Sequence, residues 1–444
     1  MRPPPTPQAM MPPAEINTEA HLKRRQRLMA EVGDDAVVAI AAAPVKLRNG
    51  DTPYPYRQDS DFFYLTGVDE PEAVLVLTPG LAVEQTLFLR PSDPEKERWD
   101  GARLGLDGAR AQAGVDAVFA IDEMDERLVE LMSGRQSLYY LMGQHQSFEQ
   151  HLNDLRMEMQ HTVGLDGPTT VVSLQPLLHE QRLIKSNDEI KWMKRAAAIS
   201  ADAMQQAMAR APTATSEAQL HAALLHTYTE HGGVPAYQPI VAGGERALVL
   251  HYIANNHTLD PNKLVLIDAG CEINGYAADI SRTFPAQGRF SGAQKALYEV
   301  VLNAQQRAID AVEVGASYHA FHDAAVRALT DGLIELGLLS GHLDDNIEQA
   351  TYRRFYMHKT GHWLGLDVHD VGDYRIDDQW RVLEPNMVLT VEPGLYIDHG
   401  DDIPAEFQGI GVRIEDDIRI TRQGPEVLTQ DVPKTVDDIE AWMA

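Results

Sequence analysis

The residues best suited to chemistry fall in four short runs. The first is LVLIDAGCEINGYAADISRTF, residues 264–284. Two strand-like stretches flank Asn274-Gly275, a strong signal for a two-residue hairpin loop. If those two residues are the loop, paired positions sum to 549, so Asp268 faces Ser281 and Asp279 faces Gly270. Alternation then places Asp268 and Asp279 as diagonal neighbours on one face, roughly 7–8 Å apart at the backbone. Two carboxylates could converge from there on a pair of metal ions. An ordinary turn or strand-end role fits Asp279 equally well. Asp268 closes the apolar run Leu264-Val265-Leu266-Ile267, where a carboxylate needs a partner.

The second run, MHKTGHWLGLDVHDVGDY (357–374), holds His358, His362 and His369. His358 and His362 have the i, i+4 spacing of a zinc-binding helix. That motif needs Glu where Lys359 stands, and Gly361 and Gly365 disfavour a helix, so the helical zinc site is rejected. The third run, LTVEPGLYI (389–397), puts Glu392 at a strand end before Pro393-Gly394. In the fourth, GVRIEDDIRI (411–420), alternation sets Arg413, Glu415 and Asp417 on one strand face, opposite Val412, Ile414 and Ile418. Taken alone, this strand reads as a half-exposed edge with a solvated charged face. Pooled, the runs offer two Asp, two Glu and one clear His as candidate ligands, with no cysteine ligand. Such an oxygen-rich set suits Mn, Co or Mg better than a structural zinc site. Four carboxylates can balance two divalent ions, which together activate water and polarise a carbonyl. The reaction class is metal-assisted hydrolysis.

The elements that must hold these residues are legible in outline. AVVAI (36–40), AVLVLT (73–78) and TLFLR (86–90) read as strands, and 15–32 and 123–133 as helices, giving an α/β first half. Ser186 with Glu189 forms a capping box that opens a helix to about 210, ending before Pro212. Ser291 with Gln294 opens another to about 313, and a further helix covers 317–338. Beyond 385 the chain turns β-rich. The domain boundary falls near 175–183.

Composition bounds the class. The 444 residues include 38 Lys+Arg and 66 Asp+Glu, a formal net charge of −28. That excess argues against nucleic acid or an anionic membrane as partner, since both are polyanions. One cysteine, Cys271, excludes an intrachain disulfide and favours a reducing compartment. No apolar run reaches the roughly 18 residues of a membrane span. The N-terminal MRPPPTPQAMMPPAE lacks a signal-peptide core, and residues 1–14 read as a disordered Pro-rich tail. The expectation is a cytoplasmic globular protein.

At its four runs the sequence resembles the pita-bread metallopeptidases, most closely the proline-specific aminopeptidase P family, over nearly the whole chain. The resemblance implies an α+β protein: a C-terminal pita-bread (creatinase/aminopeptidase-like) domain over 179–444 behind a smaller α/β, creatinase N-terminal-like domain over 15–178. It implies metal ligands Asp268, Asp279, His362, Glu392 and Glu415 for two divalent ions, commonly Mn²⁺, which share the attacking hydroxide, with Glu392 assisting proton transfer. His251, in VLHYIAN, matches a histidine that shuttles protons or stabilises the tetrahedral intermediate. His358, His369 and Tyr374 match pocket residues, and Arg413 matches an arginine beside the bridging Glu.

The runs SDFFYLTGVDEPEAVLVL (60–77) and RWDGARLG (98–105) resemble the family's N-terminal domain. Trp99 matches a tryptophan that, in some relatives, reaches a neighbouring subunit's active site. Lys359-Thr360 departs from the small residues relatives often carry there. The implied substrate is a peptide with proline in second position, and the implied assembly a dimer or tetramer. The nearest rival is prolidase, which cleaves only Xaa-Pro dipeptides. A non-catalytic peptide-binding relative is disfavoured because all five ligands are retained.

Overall fold

The computed structural model describes residues 17–444. The Pro-rich segment 1–14 lies outside them. The chain divides into two compact units between Arg182 and Leu183. Among the described residues no helix is long and apolar enough to cross a membrane.

The first unit is built on a six-stranded mixed sheet. Its order is Ala117–Ala120, Gln85–Leu89, Val74–Leu77, Ala36–Ala41, Ser137–Tyr140, Thr170–Ser173. The three pairings at the two ends of that order are parallel; the two around Val74–Leu77 are antiparallel. The central strand Ala36–Ala41 is buried throughout, as its unbroken apolar run requires of a strand covered on both faces. Val37, Val76, Phe88 and Leu138 pack there with Leu128 and Leu152 of the helices Met124–Met132 and Gln146–His161. The helix Thr18–Val32 carries Arg25 into the interior. Its guanidinium makes four hydrogen bonds, to Leu65 O (2.6 Å), Ala113 O (2.7 Å), Gly114 O (3.1 Å) and Gln85 Oε1 (2.6 Å). A buried cation without such partners would be costly.

The second unit opens on the helix Asn187–Arg210. The Ser186–Glu189 capping box is present, with Glu189 N donating to Ser186 Oγ and Ser186 N to Glu189 Oε2. The same device, Ser291 with Gln294, starts the helix Gly292–Asp310. Asn187–Arg210 packs on Glu217–Glu230, and Gly292–Asp310 on Ala320–Glu335. Small strand groups lie with these helix pairs around a large apolar core that includes Met204, Leu220, Ile267, Leu297 and Leu329. Three matter for the site: Leu264–Asp268 between Ile240–Gly243 and Ser281–Pro285; Asp416–Thr421 between Val388–Val391 and Gly424–Val427; and Gly394–Ile397 with Ile410–Arg413.

The hairpin keeps the register expected from its turn. Asp268 pairs with Ser281 and Ile273 with Tyr276. Asn274 and Gly275 both have positive φ, +52° and +78°, as a type I′ loop demands. Cys271 is buried in this hairpin, and its N–H donates to Ser200 Oγ (2.8 Å) on the helix Asn187–Arg210.

One expectation is corrected. Residues 411–420 are two strands that change partners at Ile414-Glu415, and their charged face is buried: Arg413, Glu415 and Asp417 are 4%, 2% and 1% exposed. The partner strands Val388–Val391 and Gly394–Ile397 are themselves separated by Glu392-Pro393. Proline offers no N–H to carry the ladder across.

Gly270 lies where the two hairpin arms approach most closely. A Cβ there would stand 1.7 Å from Ala278 O and 2.6 Å from Ala278 C, both backbone atoms that cannot turn aside. Gly270→Ala is therefore expected to cost roughly 3 kcal/mol or more in stability. Gly292→Ala, which meets nothing within 4 Å, is expected to stay within about 0.5 kcal/mol. Thermal unfolding of the two variants checks the contrast; equal midpoints would sink it.

Candidate metal centre

Each acidic side chain of the site hangs from a backbone hydrogen bond. Asp268 ends its strand, and Asp279 lies on the returning arm, where its N–H donates to Asp417 Oδ2 (3.1 Å). Glu415 N donates to Ser281 O (3.0 Å), which seats Glu415 against the hairpin. His362 and Glu392 sit on two segments running side by side. Thr390 N donates to His362 O (3.0 Å), Glu392 N to Thr360 O (2.8 Å), and His362 N to Thr390 Oγ1 (3.1 Å). Gly361 makes that approach possible, since a Cβ on it would lie 2.0 Å from Thr390 O. The glycine that argued against a zinc-binding helix thus serves a close, extended pairing.

The side chains converge. Donor atoms of Asp279, His362 and Glu415 lie within 4.8 Å of one another. The hydroxyl of Tyr237 lies between Asp268 and Asp279, 2.5 Å from Asp268 Oδ1, and its single hydrogen is shared by the pair. Glu392 Oε1 is 3.8 Å from His362 Nε2. The His362 Nδ1 donates to Trp363 O (3.0 Å), so the ring turns its Nε2 toward the carboxylates. This is how a metal-ligating histidine is held by its other nitrogen.

Arg413 braces the centre from the side. It donates to Asp268 Oδ2 (2.6 Å), Ser281 Oγ (2.9 Å) and Tyr396 Oη (2.9 Å), and Ser281 Oγ donates onward to Glu415 Oε2 (2.7 Å). Tyr396 in turn meets His358 Nε2 (3.0 Å). The His358 Nδ1 is 2.8 Å from Lys359 O, a carbonyl that can only accept, so Nδ1 carries the hydrogen and Nε2 receives that of Tyr396. Burial, reinforced by the Arg413 charge, pushes His358 down to about 3. It is neutral at ordinary pH.

The electrostatics are those of crowded anions. Burial raises Glu392 to about 7 and lifts Glu415 well above the usual carboxylate range, with Asp279 adding to the latter. Burial also raises Asp268, against the pull of Arg413, and raises Asp417 strongly. Burial alone would lower His362, yet the hydrogen bond to Asp279 and the charges of Glu392 and Asp279 lift it to about 9. Arg413 and His362 together cannot neutralise this many acids. The donor set, its low exposure and its unmet negative charge fit divalent cations.

The centre forms one wall of a cavity of about 390 Å³, also lined by Leu250, His251, His358, Lys359, His369, Tyr374 and Arg413. Among the sequence-derived candidates, Trp99 alone is not in that lining. It lies in the first unit on the helix Pro94–Asp100, which buries none of its residues, and is 87% exposed. His369 stacks edge-on to His362 with ring centroids 4.2 Å apart. Its loop is pinned by Asp370, which is ion-paired with buried Lys185 (2.9 Å). His251 sits on a loop tied down by Glu217, which accepts from Gly243 N (3.0 Å), Tyr252 Oη (2.7 Å) and His257 N (3.0 Å). Tyr374 Oη accepts from Trp363 N (3.2 Å), fixing the ring against that indole.

Sequence reasoning missed Tyr237, Tyr396 and Ser281. Tyr396 carried a usable signal, since a tyrosine within an apolar strand needs a partner for its hydroxyl. Tyr237 carried none; only the packed fold brings it to the two aspartates.

Comparison with known proteins follows this geometry closely. Residues 191–422 match metallopeptidase family M24, and residues 21–140 match the aminopeptidase P N-terminal domain. Xaa-Pro aminopeptidases of Haemophilus influenzae and Escherichia coli K12 are 42% and 41% identical, each across 97% of this chain and 98% of theirs. A solved Pseudomonas aeruginosa aminopeptidase superposes with a TM-score of 0.94 at 47% identity, covering 96% of this chain and 98% of that one. A zinc-substituted Escherichia coli aminopeptidase P in complex with product gives 0.94 at 41%, covering 97% and 99%.

A metal ion bound by these side chains would have to displace their protons. Below about pH 9 His362 holds a proton, and below about pH 7 Glu392 holds another. Uptake of Mn²⁺ by chelator-stripped protein is therefore expected to release protons and to tighten as pH rises from about 6 to about 9. Calorimetry in buffers of different ionisation enthalpy reads this directly. Affinity independent of pH and buffer over that range would contradict it.

Proposed function

The chain belongs to metallopeptidase family M24, and from that premise we propose how its residues cut the bond between an N-terminal residue and a following proline. The protein is a metal-dependent aminopeptidase with a pita-bread catalytic domain, acting on peptides with proline second rather than as a dipeptidase. The observation that carries the reading is the convergence of Asp279, His362 and Glu415, flanked by Asp268 and Glu392, on the wall of one cavity. These five residues would hold two divalent ions, Mn²⁺ in our proposal. When bound, such a pair activates water and polarises the scissile carbonyl.

The remaining work falls to side chains. Glu392 stands 3.8 Å from both His362 Nε2 and His358 Nδ1, placed to take a proton from the attacking water and return it to the leaving proline nitrogen. Arg413 orients Asp268 and favours its ionised form against the opposing effect of burial. His358 has both nitrogens engaged and acts by holding Tyr396 against Arg413. His251 and His369 face the cavity and are proposed to meet the peptide, donating to the developing oxyanion. Tyr374, which lines the cavity with its ring backed by buried Trp363, offers an aromatic surface for the proline ring. We further propose a cytoplasmic homo-oligomer, dimer or tetramer, in which the exposed Trp99 reaches a neighbouring copy's pocket. Its single cysteine, buried Cys271, suits a reducing compartment.

Two measurements test this reading. Asp279→Ala and Glu415→Ala are expected to lose Xaa-Pro hydrolysis together with bound metal, whereas His251→Ala is expected to keep its metal and lose about 10²–10³-fold in kcat. Retained activity with unchanged metal content in the first two would defeat the mechanism. Assayed side by side, Gly-Pro should be a poor substrate and longer Xaa-Pro-Xaa peptides good ones; the reverse order would mark a dipeptidase.

A further inference from the structure

Lys359 stands at the mouth of the cavity, between His358 and Thr360. Its backbone is held, because its carbonyl accepts from His358 Nδ1 (2.8 Å). Its side chain is exposed, with Nζ 5.7 Å from the centroid of the Tyr374 ring. Among the described residues its ammonium pairs with no carboxylate, in a chain with 66 acidic residues and a net charge of −28. The other permanently charged cation on the cavity wall, Arg413, is committed to Asp268, Ser281 and Tyr396. Lys359 is thus a lining cation whose charge is left for whatever enters.

What enters is set by the polarity of the reaction. An enzyme that removes one N-terminal residue must seat the amino end of the peptide in the depth of the pocket, beside the metal centre. Everything beyond the proline leaves through the mouth. The acidic ligands are buried and Lys359 is exposed, so the ammonium meets the chain just downstream of the proline. We propose that Lys359 is a specificity determinant that favours Xaa-Pro peptides bearing a carboxylate immediately after the proline. Either an acidic third residue or the free C-terminus of a tripeptide supplies that group. An ammonium is a flexible point charge and accepts both.

The proposal rests on the Xaa-Pro specificity given above, and four peptides separate its parts. All four keep the free N-terminus; beyond the proline, Ala-Pro-Ala-amide is uncharged, Ala-Pro-Asp-amide has an acidic side chain, Ala-Pro-Ala with a free C-terminus has only the terminal carboxylate, and Ala-Pro-Lys-amide is basic. For the unsubstituted enzyme, kcat/KM for at least one carboxylate peptide is expected to exceed that for the neutral amide by about two- to fivefold, the size of an exposed ion pair. Which of the two responds identifies the source of the carboxylate. Lys359→Arg should keep the ratio, Lys359→Gln should bring it to about one, and Lys359→Glu should invert it in favour of Ala-Pro-Lys-amide. The ratio should also shrink as ionic strength rises from about 0.05 to about 0.5 M, where the screening length falls severalfold. If Lys359 serves only to pack on Tyr374, all four peptides will fall together and the ratio will not move. Cleavage with unchanged ratios in the Gln and Glu variants overturns the assignment to Lys359 alone. Cleavage of none of the peptides by the unsubstituted enzyme overturns the Xaa-Pro reading and the inference with it.

Discussion

The mutual repulsion of buried carboxylates is the constraint on which the second unit depends. Asp268, Asp279, Glu392 and Glu415 share one small volume, with Asp417 directly behind them. Burial and proximity push the titration of Asp268, Glu392, Glu415 and Asp417 upward, because none can ionise comfortably beside the others. Such a cluster would open apart if its members were free to move. Instead, each is anchored through the main chain: Asp268 at a strand end, Asp279 and Glu415 through their own amides, and Glu392 through the paired segment at Thr360. The fold holds the charges together and leaves a charge balance that, in the function proposed, divalent cations would supply.

That demand explains the close backbone approaches around the site. Two facing segments must come nearer than side chains normally allow, once across the hairpin at Gly270 and once beside Thr390 at Gly361. It also explains the neutral hydrogen-bonding groups between the charges. Tyr237 offers a hydroxyl to two aspartates, Ser281 relays from Arg413 to Glu415, and Tyr396 links Arg413 to His358. Each orients a charged group without adding charge, so the field at the centre stays negative enough to hold metal. Second-row groups of this kind set ligand orientation as firmly as the ligands themselves.

Much of this was legible in the sequence because it was written in short-range chemistry. Asn274-Gly275 fixes a loop, the loop fixes a register, and the register puts Asp268 opposite Ser281. The capping pairs Ser186–Glu189 and Ser291–Gln294 marked helix starts for the same local reason. What alternation could not show was burial. The charged side of 411–420 looks like a solvated edge from its own residues, and only the packing of the hairpin and of Glu392 against it makes that side an interior. Tyr237 was illegible for a related reason: it is separated from Asp268 and Asp279 by 31 and 42 residues.

Asp416 and Asp417 show what separates an acid that serves structure from one that backs the candidate metal centre. They are adjacent, equally buried and on opposite faces of one strand. Asp416 meets Arg282 (2.7 Å) and Lys434 (2.8 Å), and despite its burial those cations pull it down to about 2. It is a satisfied ion-pair network. Asp417 turns the other way, toward Asp279 and His362, where among the described residues no lysine or arginine reaches it, and burial pushes it up instead. Burial is common to both, so burial alone marks neither. The deciding feature is whether the chain supplies a resident cation. Where it does, an acid holds the fold together; where it withholds one from several acids at once, the missing charge must come from solution. By that criterion the strand's two faces divide the acidic residues of this region into scaffold and site.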